Sequence, residues 1–441
     1  MEKNNDIFRP FINKDATFKE ISDLIIGKNK ESYFDYTASG LAFQPIEDRI
    51  QEVLTTYANT HSEFAGDAKT TSFNYDIARV KVREYLGLSE DFVVLPCGSG
   101  ATGAIKKFQE LLGLYIPPAT KSRFDIHFEN MEKPLILVGP FEHHSNEISY
   151  REALCDTIRI PLKDGNVDLE FLATTLEENK HRELIGAFST ASNVTGIVSP
   201  FAEISWLLRK YNAIVAFDSA ASSACMNATS DLFDALFLSP HKLLGGPGTC
   251  GILAIRKSLI DEKLSPTFAG GGTVAYVTKH DHIFNSDIEL REDAGTPPIL
   301  QLIRTAFAFQ LRDEIGLDRI QMKKIELFKI LKEGLAKIEG HTIYGQPENQ
   351  NSVGIMAINF HGVTPYDLCE KLSTEYGIQT RAGCSCAGPY GQDLFGIPEG
   401  EKPDEKPSWL RISVNYTHSE ESIRNLLSAL EKSVKELKKG K

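Results

Sequence analysis

Long hydrophobic runs are missing from these 441 residues, and so is any excess of positive charge. Without a stretch of about 20 apolar residues no membrane span is expected. The N-terminus, charged and polar as far as the short cluster Leu24-Ile25-Ile26, is not expected to hold a signal peptide. A formal net charge of −12 argues against nucleic acid as a principal partner, since binding a polyanion rests on clustered basic contacts. Cysteine is sparse and irregular: seven residues, an odd number, make no disulfide framework and suit a reducing cytoplasm. Repeats and low-complexity segments are absent too. What is left, 41% hydrophobic and 24% charged, is ordinary for a globular chain too long for one core, so two domains are expected.

From about Thr60 to Pro298 short apolar runs alternate with helical patterns. Leu135-Ile136-Leu137-Val138, Leu184 to Phe188, Ala213 to Phe217 and Ala235 to Leu238 are continuous rather than alternating, as in a mostly parallel sheet buried on both faces. After a long helical stretch, Ile299 to Ile338, an α+β pattern follows: Val353 to Phe360, a helix over Pro365 to Tyr376, Leu410 to Asn415, and an amphipathic helix from Glu420. The chain therefore reads as α/β, with a large domain over 59–298 and a small α+β domain over 299–441 that the N-terminal segment 1–58 joins.

Chemistry concentrates between Phe217 and Gly251. Asp218 closes the apolar run Ile214 to Phe217, and Ser239-Pro240-His241-Lys242-Leu243 leads into the turn Gly245-Gly246-Pro247-Gly248. Taken singly, Lys242 reads as a surface lysine before a glycine turn and Asp218 as a helix N-cap. Together they suit pyridoxal phosphate: a lysine amine that loses its proton to bind the aldehyde, and an ionised aspartate that keeps the pyridine nitrogen protonated so that the ring accepts electrons. Gly98-Ser99-Gly100-Ala101-Thr102-Gly103, between the run Phe92 to Leu95 and the periodic helix Ala104, Ile105, Phe108, Leu111, offers amides and a positive dipole end to a phosphate, although such a turn alone is equally an ordinary tight turn.

These residues resemble the fold-type I, class V aminotransferases, and among them the group II cysteine desulfurases and selenocysteine lyases. Phe217-Asp218-Ser219-Ala220-Ala221 is similar to the family's V-D-[GA]-[AS]-Q, and Ser239 to Gly248 to its S-x-H-K-x-x-G-P-x-G loop. Tyr33 to Ala38 resembles Y-L-D-N-A-A, and Tyr57-Ala58-Asn59-Thr60-His61-Ser62 resembles Y-G-N-x-H-S. The resemblance implies a seven-stranded-type sheet and a cofactor site. Gly100, Ala101, Thr102, Ser239 and His241 would take the phosphate, and Lys242 would hold the cofactor. Asp218 would face the ring nitrogen, and His143 of Phe141 to Asn146 would stack on the ring with a role in proton transfer. Asn193 of Ser192 to Gly196 would donate to the phenolic oxygen. Thr296 of Ala294-Gly295-Thr296-Pro297 would reach across from a partner subunit, implying a homodimer with shared active sites.

Reaction type rests on Thr380 to Pro389, which resembles the R-[TA]-G-H-H-C-A-x-P loop and puts Cys386 in the nucleophile role. That role calls for a thiolate on an accessible, mobile segment, and flanking Gly and Pro suggest such mobility. Cys384-Ser385-Cys386 has other readings: half of a metal site, for which no second Cys or Cys/His pair stands at zinc-like spacing, or an inert loop. Cys384 also departs from the family, which has His there, so sulfur relay or inactivation by a second thiol comes into question. Arg411 of Trp409 to His418 is the implied carboxylate clamp, with Arg381 assisting. Ala221 replaces the usual Gln, the stretch Gly113 to Pro134 is longer than expected between a helix and the next strand, and Gly391 to Pro407 separates Cys386 from Arg411 more widely than in the family's short-loop members.

The resemblance implies a pyridoxal phosphate enzyme that takes sulfur from L-cysteine, or selenium from L-selenocysteine, through a Cys386 persulfide and releases L-alanine, with a protein acceptor for the sulfur. Two alternatives stay open at this point. One is a class V transaminase, epimerase or β-eliminating enzyme on another small amino acid, with Cys386 incidental. The other is a catalytically silent sulfur-transfer partner that keeps the cofactor for stability.

Overall fold

The computed structural model describes residues 6–60, 62, 64–124, 131–345 and 351–439. His61 of the Tyr57 to Ser62 motif lies outside them, as does part of the Gly113 to Pro134 stretch.

Seven strands form the large sheet: β1 (Phe92–Pro96), β2 (Leu135–Val138), β3 (Asp156–Arg159), β4 (Leu184–Ser189), β5 (Ile214–Asp218), β6 (Ala235–Leu238) and β7 (Ile252–Arg256), in the spatial order β1-β7-β6-β5-β4-β2-β3. Neighbours from β6 to β3 pair in parallel, and β7 alone runs antiparallel, to both β6 and β1. Helices cover both faces, so Leu135 to Val138 and Ala235 to Leu238 are buried at every position; this is why the sequence shows continuous apolar runs instead of alternation.

The parallel strands end together. Ser189 pairs with Asp218 at the carboxyl ends of β4 and β5, and Gly98 to Gly100 link the end of β1 to helix α2 (Ala101–Leu111); α1 (Gly66–Tyr85) precedes β1. In α2 the buried Ala104, Ile105 and Phe108 follow helical spacing and fix the helix against the sheet.

A second, antiparallel sheet has the order β8-β9-β11-β10, from β8 (His341–Tyr344), β9 (Ile355–Phe360), β10 (Arg381–Gly383) and β11 (Trp409–Ser413). The expected helical stretch Ile299 to Ile338 is two helices, α3 (Ile299–Ile315) and α4 (Leu317–Leu335), parted by Gly316 at φ 90°. Helix α3 is buried within the core of the large sheet, whereas Leu327, Leu331 and Leu335 of α4 pack with the second sheet, α5 (Pro365–Tyr376) and α7 (Glu420–Lys439). Most buried residues of the N-terminal segment, among them Phe11, Ile21, Phe43 and Ile50, belong to the larger core, and Phe34 to the smaller one. Among the described residues no helix is long and apolar enough to cross a membrane.

Candidate active site

Between the two sheets lies a cavity of about 580 Å³, a size suited to a cofactor with a small substrate. Its floor is the carboxyl edge of the large sheet. Asp218, 5% exposed, ends β5; its Oδ1 accepts the Ala220 N–H at 2.9 Å. Burial raises its pKa, opposed by that amide and by the positive charge of Lys242. Lys242 follows β6 and lines the same cavity. Loss of hydration pulls its amine down to about 8, with Asp218 acting in the opposite direction, so a useful neutral fraction exists near physiological pH.

The lysine loop is held from the N-terminal segment, a contact the sequence reading did not anticipate. Gly40 N–H donates to His241 O at 2.8 Å, and a Cβ at Gly40 would stand 1.8 Å from Leu243 O; only glycine permits this approach.

One end of the cavity is an anion cradle. Helix α2 starts there at Gly100, which has no side chain to cap it, so the positive dipole end of the helix faces the cavity. Ser239 Oγ accepts the Ala101 N–H at 2.9 Å, and Thr102 Oγ1 lies 2.7 Å from Ser145 Oγ. A Cβ at Gly100 would fall 3.1 Å from Ser239 Oγ and 3.5 Å from His241 Nε2, so the space between these groups exists because residue 100 has no side chain. Burial lowers His241 to about 4.

His143 and Asn193 form a wall. Burial, then the charge of Lys242, lowers His143 to about 4, leaving it neutral; its Nδ1 accepts the Ser145 N–H at 3.1 Å, which puts the ring proton on Nε2. Glu142 beside it is buried and accepts from Asn146 Nδ2, Ser189 N–H and Ser189 Oγ, tying the His143 turn to the end of β4.

The small sheet supplies the opposite wall. Arg411 on β11 is 3% exposed. Its Nη2 donates to Asp35 Oδ1 at 2.9 Å and its Nη1 to Asn193 O at 3.1 Å, each nitrogen keeping a second N–H. Arg381, its register partner on β10, is half-exposed and pairs with Asp35 Oδ2 at 2.8 Å. One buried carboxylate thus holds both arginines. Asp35 sits inside the matched Tyr33 to Ala38 segment, but its partners are 346 and 376 residues away, and nothing local announces them.

Cys386 is exposed and lines the cavity, whereas Cys384 is half-buried against the large core. The loop expected to be mobile is a tight turn. Ala387 N–H donates to Cys384 O at 3.1 Å, and Ser385 and Cys386 both take positive φ, 54° and 55°, a left-handed arrangement costing about 1–2 kcal/mol at each non-glycine position. Neighbours hold it there: Asn193 Nδ2 donates to Ser385 O at 2.7 Å, Trp409 Nε1 to Ser385 Oγ at 3.1 Å, and His144 N–H to Cys386 O at 2.9 Å. Helix α6 (Gly388–Phe395) begins immediately after, its Gly388 N–H donating to His144 Nε2 at 2.9 Å. Gly and Pro here serve helix entry rather than mobility. Thr296 does not line the cavity; it accepts from Asn59 Nδ2 at 3.2 Å at an exposed position.

The aminotransferase class-V model matches residues 32–426. The chain belongs to the aminotransferase class-V family. Within it, the chain is 30% identical over 365 residues to a probable cysteine desulfurase of Halalkalibacterium halodurans, covering 81% of this chain and 84% of the relative. It is 26% identical to one of Staphylococcus aureus, over 93% and 94% of the two chains. A solved cysteine desulfurase from Thermococcus onnurineus superposes with a TM-score of 0.80 at 25% identity, covering 95% of this class-V chain and 98% of the other. The S-sulfonic acid form of a cysteine desulfurase from Escherichia coli, at 21% identity and a TM-score of 0.77, shares the fold.

Proposed function

We propose that the protein is a pyridoxal phosphate-dependent cysteine desulfurase, or selenocysteine lyase, that takes sulfur from L-cysteine onto Cys386 and releases L-alanine. The observation that carries this reading is the shared cavity: Lys242, Arg411 and an exposed Cys386 all line it, so a lysine carrier, a carboxylate site and a thiol meet around one amino acid-sized space.

The donor set fits the cofactor. The first turn of α2 with Ala101 and Thr102, the gap over Gly100, Ser239 and His241 would hold its phosphate. Asp218 would hold the ring nitrogen's proton, His143 would lie against the ring, and Asn193 would donate to the phenolic oxygen. Bound there, the cofactor supplies an electron sink for the substrate's α-carbon. Lys242 would hold the cofactor and move a proton at Nζ. Arg411, with Arg381, holds the substrate carboxylate, and their shared pairing to Asp35 fixes the position of both guanidinium groups. Cys386 Sγ takes the sulfur as a persulfide, and its exposure leaves that sulfur open to a protein acceptor.

A homodimer with shared active sites is supported by Thr296, placed outside its own cavity, and by exposed apolar residues around it in the chain: Phe268, Tyr276, Val277 and Ile283, with Phe64. The cysteines, all free, support a cytoplasmic setting.

Incubating the purified protein with pyridoxal phosphate and L-cysteine tests the activity: alanine and sulfur, as sulfide or bound persulfide, should appear in equal amounts. Pyruvate and ammonia in place of alanine would favour β-elimination and sink the desulfurase reading.

A further inference from the structure

The pinned turn changes what becomes of sulfur on Cys386. A loop that swings would carry a persulfide away to an acceptor, but Ser385 O, Ser385 Oγ and Cys386 O are each held by a different neighbour. The persulfide therefore forms on a fixed turn, and the same turn holds a second thiol. The hydrogen bond from Ala387 N–H to Cys384 O, with residues 385 and 386 both at positive φ, closes a tight turn whose first and third residues are the two cysteines. Cys384 is half-buried rather than sealed in the core.

We propose that Cys384 is a resolving thiol that discharges the Cys386 persulfide as sulfide when no acceptor arrives, leaving a Cys384–Cys386 disulfide that stops further turnover until a dithiol reduces it. This rests on the desulfurase reading above. Cys384 loses its proton to solvent, and its thiolate attacks Cys386 Sγ. The bond between Cys386 Sγ and the outer sulfur breaks, the electron pair leaves on that sulfur as hydrosulfide, and the Cys384 Sγ–Cys386 Sγ bond forms. The outer sulfur is reduced and the Cys384 sulfur oxidised, so no external oxidant enters; two electrons from a dithiol later restore both thiols by exchange. A small ring closed across a strained turn is the labile kind of disulfide, suited to such a reversible stop.

The test follows the loop peptide by mass. Holoenzyme given one equivalent of L-cysteine per subunit and no other thiol should give alanine equal to the subunits, matched by released sulfide, with the peptide spanning Cys384 and Cys386 lighter by two hydrogens; a dithiol followed by a second equivalent should restore a second burst. In Cys384→Ser the peptide should instead stay heavier by one sulfur, and sulfide release in the burst should fall about tenfold or more. A parent persulfide as long-lived as that of Cys384→Ser, or added sulfur located on Cys384, would overturn the proposal. An absent alanine burst in the parent would count against the desulfurase reading alone. A second arm does not depend on turnover: protein persulfidated with inorganic polysulfide should release sulfide and form the disulfide in the parent and not in Cys384→Ser, and equal behaviour of the two would again overturn it.

Discussion

Asp35 Oδ1 accepts from Arg411 Nη2 at 2.9 Å at the wall formed by the small sheet, so the guanidinium assigned to the substrate carboxylate already has a protein carboxylate as partner. Replacing Asp35 by Asn would leave Arg411 buried with its charge unpaired, and breaking such a pair costs about 3–5 kcal/mol. A urea midpoint close to the parent's would show that the pair contributes little to stability.

For Arg411→Ala the expectation is different. The cavity loses its carboxylate partner while Lys242 and the phosphate cradle stay intact, so kcat/KM for L-cysteine should drop by about two orders of magnitude or more, with cofactor content unchanged. Kinetics equal to the parent's on every accepted amino acid would refute the assignment.

Lys242 titrates near pH 8 because it is desolvated. Below that pH the amine is protonated and unable to attack an aldehyde; above it the neutral form dominates. Covalent capture of pyridoxal phosphate by apoenzyme, measured by mass after borohydride reduction, should therefore quicken as pH rises through about 8 and level off above it, and be lost in Lys242→Ala. A rate still climbing toward pH 10.5, the ordinary lysine value, would mean that the site does not lower this pKa.

Gly100→Ala fills the cradle. Residue 100 is in extended backbone, φ −178°, so alanine is conformationally acceptable and the fold should persist. The added methyl, 3.1 Å from Ser239 Oγ, intrudes where the phosphate would sit, and cofactor affinity should weaken about tenfold, equivalent to about 1.4 kcal/mol. Unaltered affinity by fluorescence titration would place the phosphate elsewhere.

Cys386→Ser keeps cavity, lysine and clamp, and so should still bind L-cysteine, seen as a change in cofactor absorbance, yet form almost no alanine, since a hydroxyl does not replace a thiolate in attack on sulfur. Full turnover in this variant would remove Cys386 from the reaction.

Much of the large sheet was legible because parallel strands covered on both faces must be apolar throughout; Leu135 to Val138 and Ala235 to Leu238 announce themselves. Asp218 and Lys242 were legible because the first closes such a strand and the second stands four residues beyond one, at the edge where ligands gather. Asp35 and His144 were not. Their partners come from the far end of the chain, and a hydrogen bond between residues hundreds of positions apart leaves no periodic trace. The turn at Cys384 to Ala387 was misjudged for a related reason: Gly383, Gly388 and Pro389 suggest freedom, while the groups that remove it, Asn193, His144 and Trp409, belong to other elements. Gly316 broke the helical stretch after Ile299 where periodicity continued on both sides.

The register of the small sheet bears on how this protein can change over generations. Arg381 and Arg411 face each other across β10 and β11, and everything between Gly383 and Trp409 lies outside that ladder. Segments inserted or trimmed in the exposed proline-bearing stretch from Pro398 to Lys406 lie outside the pairing that holds the two arginines. On the proposed function, that stretch can vary while the two arginines stay in place, so divergence in sulfur delivery need not await divergence in substrate.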